Sequence, residues 1–156
     1  MSLKRFSVLI CTYNQSESLA TVLDFLNAQS VVHAEQFEVV VVNNNSKDRT
    51  EDVCLKFQEK SQFSFNYIFE GRQGLSTARN TGVSASKGDV IIFTDDDAKI
   101  PGSWLQTIAN TYNIYDADCV YGKILIDWEG RKPDWCEGGQ ACMDVELDYG
   151  DKIINV

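Results

Sequence analysis

The sequence predicts an α/β domain: a mostly parallel sheet with helices on both faces. Three observations carry this. Strand-like and helix-like segments alternate along the chain. The strand segments are almost continuously apolar, as strands covered on both faces are. Three of the segments end in polar clusters rich in Asx, at Thr12-Tyr13-Asn14, Asn43-Asn44-Asn45 and Asp95-Asp96-Asp97.

In chain order, Phe6 to Cys11 is an apolar run that stops at Thr12-Tyr13-Asn14. Asn14 is placed to cap a following helix, and Glu17, three residues on, to reach back to the cap. Leu19, Val22, Leu23 and Leu26 then mark one helical face. Phe37 to Val42 is apolar and β-branched and stops at Asn43. Asp48 opens a second helix with Val53, Cys54 and Phe57 inward. Phe63 to Phe69 alternates as a strand. Gly74 precedes a helix through Ala78, Gly82 and Ala85, and Gly88 is placed for its C-cap. Val90 to Phe93 is a buried strand ending in the three aspartates. Pro101-Gly102-Ser103 leads into a helix carrying Trp104, Leu105, Ile108 and Ala109. Cys119 to Ile126 reads as a further strand, after which the pattern gives way to Trp, Gly, Pro and acids. Strands are thus expected near 6–12, 37–43, 64–69, 89–95 and 119–126.

A chain of 156 residues suits one domain. Hydrophobic residues at 44% and charged residues at 24% exclude a disordered or fibrous chain. No apolar run approaches the roughly 18–20 residues a membrane helix needs. The opening residues 1–5 run straight into a strand and do not read as a signal peptide, so a cytoplasmic protein is expected. Fourteen Lys and Arg against 23 Asp and Glu give −9. Such a surface repels phosphate backbones, which argues against nucleic acid as a ligand. A phosphorylated small molecule would need a cation between itself and the protein. The cysteines at 11, 54, 119, 136 and 142 form no C-x-x-C, and His33 stands alone. A zinc site is poorly supported, and free thiols in a reducing compartment are the plainer reading.

Ligands of open α/β sheets sit outside the carboxyl ends of the strands. The three polar clusters fall there and point to one shared pocket. Three adjacent carboxylates repel one another unless a cation joins them. In an extended segment Asp95 and Asp97 face one side and Asp96 the other. Asp95 and Asp97 are then the pair for a hard divalent ion, Mg²⁺ or Mn²⁺. An acidic turn capping the helix near Ser103 is the competing reading. Other chemistries lack their motifs. No G-x-G-x-x-G follows the first strand, no G-x-x-x-x-G-K-[ST] occurs, and no Ser/His/Asp arrangement is visible.

Four segments together resemble the family 2 glycosyltransferases. Phe6 to Asn14 is similar to the opening strand S-V-[IV]-[IV]-P-T-Y-N, with Cys11 where proline is common. Val39 to Asp48 is similar to V-V-D-[DN]-[GN]-S-x-D. Gly74 to Gly82 matches G-x-[SA]-x-A-R-N-x-G, and Gly88 to Asp97 matches G-[ED]-[YV]-[IL]-x-F-x-D-x-D. The four keep their order and spacing over about residues 5–126.

The resemblance implies a Rossmann-like, A-type glycosyltransferase fold and a nucleoside-diphosphate sugar as donor, with a UDP-sugar favoured over a GDP-sugar. It implies that Thr12, Tyr13 and Asn14 flank the base and ribose. Glu17 lies beside them, with helix capping as its competing role. Asn43 and Asn44 stand where many members carry an acidic residue that reads the base. Asp95 and Asp96 contact the donor, and Asp95 and Asp97 hold Mn²⁺ or Mg²⁺. Arg79 lies near the donor, against a competing role in a helix-surface ion pair, and Arg72 is a weaker candidate. The ion stabilises charge on the departing diphosphate. An inverting transferase also needs a general base, and none is recognisable before Val156. Asp127, Glu129, Asp134, Glu137, Asp144, Glu146 and Asp148 are available acids, and Trp128 and Trp135 are candidates to stack on a sugar, with packing or an interface as their competing role. The chain therefore reads as the donor-binding part of a longer enzyme of cell-envelope polysaccharide synthesis. Its acceptor would be a saccharide or lipid-linked, and the remaining part would attach it peripherally to the inner face of the membrane. The rival reading is a nucleotide-sugar-binding module without turnover. A nucleotidyltransferase ranks last, because the first loop has neither glycine nor a basic residue.

Overall fold

The computed structural model describes residues 4–115, 117–128 and 130. The chain divides into two units, the first ending at Tyr115 and the second starting at residue 116. Nine elements build the first unit: β1 (Phe6–Thr12), α1 (Ser16–Asn27), a 3₁₀ turn (Ala34–Gln36), β2 (Phe37–Asn43), α2 (Thr50–Lys60), β3 (Ser64–Phe69), α3 (Leu75–Ala85), β4 (Val90–Thr94) and α4 (Trp104–Ile114). The strands form one parallel sheet in the order β3-β2-β1-β4.

This order follows from the apolar runs. β1 and β2 are central and buried along nearly their whole length. Their side chains alternate between two cores. Phe6, Val8, Ile10, Phe37, Val39 and Val41 enter the larger core with Leu19, Leu23 and Phe57 of α1 and α2. Leu9, Val40 and Val42 enter the smaller one under Ala78 of α3. A run with no polar alternation is what two covered faces demand. On the smaller face a Cβ added at Gly82 would overlap Leu9, so the missing side chain is what lets α3 lie on β1.

Three expectations fail. Asn14 does not cap α1. Gln15 occupies that position and no side chain there bonds the helix, so Glu17 has no cap to reach back to. Asn14 instead takes a left-handed conformation at φ 54°, which asparagine tolerates. Gly88 is no left-handed C-cap either, since α3 ends at Ser86 with extended backbone. Glycine is needed there because a Cβ would lie 2.6 Å from the Ser7 amide nitrogen. The strand expected at 119–126 does not form. The described residues of the second unit carry only an isolated bridge, at Ile124, and Tyr121, Ile124 and Leu125 are exposed. Their β-branched and aromatic composition imitates a strand, but strand propensity needs neighbours to pack against.

Candidate functional site

With the order β3-β2-β1-β4, consecutive crossovers run one way from β1 and then jump to its other side. β1 and β4 therefore flank the point where ligands of open sheets settle. The register pairs Ile10 with Thr94, which carries Thr12 and the aspartate cluster side by side past the strand ends. The ends of the first and fourth strands meet, as the shared-pocket reading requires.

The backbone of the cluster departs from expectation. β4 stops at Thr94, and Asp96 and Asp97 form a turn, so the segment is not extended. Within that segment Asp95 and Asp97 are exposed and Asp96 is half-buried. Burial raises the Asp96 pKa, and the charges of Asp97 and Asp95 push the same way. The Thr12 hydroxyl leans against that shift without meeting the geometry of a full hydrogen bond. Thr12 is 2% exposed and its Oγ1 has no partner, a deficit it shares among the described residues with Gln36 Nε2. A buried hydroxyl left unpaired costs about 1–3 kcal/mol unless something binds it.

Arg79, on α3, faces the same place. Among the described residues it forms no ion pair on the helix surface, and its charge acts on Cys11 together with those of Asp96 and Asp95. Burial raises the Cys11 thiol to about 11, against the pull of Arg79, so the thiol is neutral at physiological pH. Cys11, Cys54 and Cys119 are all unpaired.

Beside this lies a cavity of about 310 Å³, lined by Cys11, Thr12, Tyr13, Asn44, Gln73, Gly74, Leu75 and Ala78. Its size is that of a small-ligand pocket. One wall is the turn after β1 and the other the turn into α3. The first wall is fixed to the turn after β2. The Asn14 amide donates to Ser46 Oγ at 2.9 Å, and Asn14 Oδ1 accepts from the Lys47 amide at 2.7 Å. Asp48 accepts from the Ser16 amide at 2.9 Å and from the Thr50 amide at 3.1 Å, which closes the starts of α1 and α2 with one carboxylate. Desolvation works against that carboxylate, but the bonds from Thr50 and Ser16 prevail and hold its pKa at about 2.

Asn43 and Asn44, expected to read a base, are both buried and engaged. Asn43 Nδ2 donates to Tyr67 Oη at 3.0 Å, and its Oδ1 accepts from the Ser46 amide at 2.8 Å. Asn44 bonds the chain around Glu70, Arg72 and Gly74. Arg72 pairs with Glu70, with Nη2 to Oε2 at 3.0 Å, and Thr81 Oγ1 donates to the same oxygen at 2.6 Å. Those bonds, Arg72 first, hold Glu70 at about 2. Sequence reasoning gave Gln73, Leu75 and Asp48 no part in the site. Asp48 was readable in principle, as an acid preceding a helix beside an Asx-rich turn.

Among the described residues no three His, Cys, Asp or Glu side chains converge as a metal cage. Asp95 and Asp97 are two exposed, hard oxygen donors, which fits an ion completed by a ligand's phosphates rather than by the protein. Of the candidate general bases only Asp127 lies within the described residues, and Glu129, Asp134, Glu137, Asp144, Glu146, Asp148 and Trp135 lie outside them. No helix among the described residues is long and apolar enough to cross a membrane.

Comparison with known proteins gives the family and the fold. Residues 7–136 match the model of glycosyl transferase family 2. The glucosyl-dolichyl phosphate glucuronosyltransferase of Haloferax volcanii is 33% identical, over 96% of this chain and 51% of its own length. Glycosyltransferase AglE of the same organism is 30% identical, over 76% of this chain and 38% of its own. Among solved structures, the mannosyltransferase PcManGT from Pyrobaculum calidifontis, in complex with GDP-Man and Mn²⁺, superposes with a TM-score of 0.66 at 26% identity. That match covers 76% of this chain and 34% of PcManGT. The chain spans about half the length of the first of these relatives and less of the others.

Proposed function

The chain belongs to glycosyl transferase family 2, and from that premise we propose that its first unit binds a nucleoside-diphosphate sugar and that the whole protein transfers the sugar to an acceptor hydroxyl. The observation that carries this is the pairing of β1 with β4, which sets Thr12 and the aspartate cluster together beside the 310 Å³ cavity. The nucleoside lies in that cavity against Tyr13 and Gly74, and the diphosphate lies over the strand ends between Asp95, Asp97 and Arg79.

Each group has a task that its surroundings favour. Thr12 Oγ1 is buried without a partner and donates to a donor oxygen. Arg79 is exposed on α3 and neutralises phosphate charge. Asp95 and Asp97 hold Mn²⁺ or Mg²⁺, which when bound stabilises charge on the leaving diphosphate. At a net charge of −9 the protein repels a bare diphosphate, so Asp95 and Asp97 favour the donor only in company with a cation. The acceptor, its general base, the inverting course and a place in envelope polysaccharide synthesis at the inner membrane face belong to the same proposal. PcManGT supports the donor class and the ion.

The test is calorimetric titration of UDP, GDP and ADP in Mn²⁺ and in chelator. UDP and GDP bind in Mn²⁺, UDP the tighter, and both lose affinity in chelator. Asp97→Asn removes the gain from the ion, by at least the 10–100-fold that loss of even an outer partner of a metal ligand costs. Asp96→Asn has a smaller effect. Equal binding in Mn²⁺ and chelator overturns the metal role, and preferential binding of ADP overturns the donor class.

A further inference from the structure

Asn44 is 5% exposed and lines the nucleoside cavity. Its backbone amide donates to the Thr12 carbonyl at 2.9 Å. Its Nδ2 donates to the carbonyls of Arg72 at 2.8 Å and Glu70 at 3.3 Å. Its Oδ1 accepts from the Gly74 amide at 2.8 Å. The two carbonyls and the N–H around it fix which end of the amide is which. One residue thus ties the wall after β1 to the wall that opens α3. The oxygen that would accept a base N–H is already engaged. An acid at this position could accept from Gly74 but could not donate to the carbonyls unless protonated.

We propose that Asn44 is a positioning residue that sets the separation of the two pocket walls, and that the base is selected by other groups. Among the described residues, Thr12 Oγ1 and the exposed Gln73 side chain are polar groups of the same lining that form no hydrogen bond. This inference rests on the donor-pocket reading above.

The experiment titrates uridine, UDP and GDP in Mn²⁺ into the full chain and two variants. Asn44→Asp replaces two donated bonds with two repulsions. Gly74→Ala strains the same tie from its other end, because Gly74 has φ 140° while its Cβ position is open to within 3.6 Å of Thr77 Oγ1. That second variant keeps the test alive if the first fails to fold. Both are expected to weaken all three ligands by a common factor of about tenfold and to leave the UDP-to-GDP ratio within twofold of wild type. A ratio changed by tenfold makes Asn44 the base reader and overturns the inference, as does undiminished affinity in Gly74→Ala. Wild-type protein that binds neither diphosphate overturns the donor pocket itself, which is visible before any variant is measured.

Discussion

The two ends of the sheet handle a carboxylate in opposite ways. At the amino ends, Glu38 is 9% exposed, and its Oε1 accepts from Ser7 Oγ at 2.5 Å and from the Lys87 amide at 2.6 Å. Ser7 Oγ in turn accepts from the Gly88 amide at 2.8 Å. Each of these groups has a partner inside the protein. At the carboxyl ends, Asp96 is half-buried between two more aspartates, and the neighbouring Thr12 hydroxyl has no partner. The same strands carry both arrangements, so the difference is not one of fold. A polar cluster whose bonds close on themselves holds the structure. One left open is waiting for something outside it.

That contrast breaks most clearly at Glu38. Glu38→Ala leaves the Ser7 hydroxyl and the Lys87 amide short of an acceptor, at an expected cost of about 2–4 kcal/mol. Thermal unfolding then falls by about 4–16 °C, while UDP affinity in Mn²⁺ stays within twofold. A large loss of affinity from this variant would show that the two ends are not separable.

Acid titration sharpens the same comparison. Glu70 is held at about 2 from an ordinary 4.5, so its contribution to stability is present above pH 4.5 and is lost as pH falls toward 2. Asp96 is raised above its ordinary 3.8, so its contribution is present below pH 3.8 and is lost as pH rises through the raised value. Denaturant midpoints against pH should therefore flatten between 4.5 and 2 in Glu70→Gln. In Asp96→Asn the protein should become more stable at pH 7 than wild type. A less stable Asp96→Asn protein at pH 7 would show that this carboxylate is already satisfied internally.

The smallest effect is expected at Thr12. Thr12→Val keeps the shape and removes the orphaned hydroxyl. Stability should hold or rise by up to about 1 kcal/mol, while UDP affinity falls about 2–10-fold. Stability and binding moving in the same direction would remove Thr12 from the site.

The strands were legible because burial on both faces writes itself directly into composition. The runs at 6–12, 37–43 and 64–69 coincide with β1, β2 and β3, and the run at 89–95 overshoots β4 by one residue at each end. The loops were less legible because Asn, Asp and Gly serve several purposes. Asn14 looked like a cap and is a left-handed turn residue. Gly88 looked like a terminator and is a point of close backbone approach. That the three aspartates lie at the carboxyl end of the sheet was readable from their place after an apolar run. Which of them is half-buried depends on the turn after Thr94, which no spacing rule encodes. The Nδ2 of Asn43 and the side chain of Asn44 bond partners 24 to 30 residues away, which could not be read locally.

The strand order also imposes an order in time. β1 pairs with β2 across about 31 residues, but its other edge waits for β4, whose approach is marked by the Arg5 amide meeting Asp89 across 84 residues. A nascent chain can therefore assemble the cavity walls of residues 11–78 before the aspartates exist as polypeptide. Loop closure over such a span is the slow step of parallel-sheet folding. The walls of residues 11–78 can form early and the aspartate end last, and until then one flank of the central strand is open to any competing strand in its surroundings.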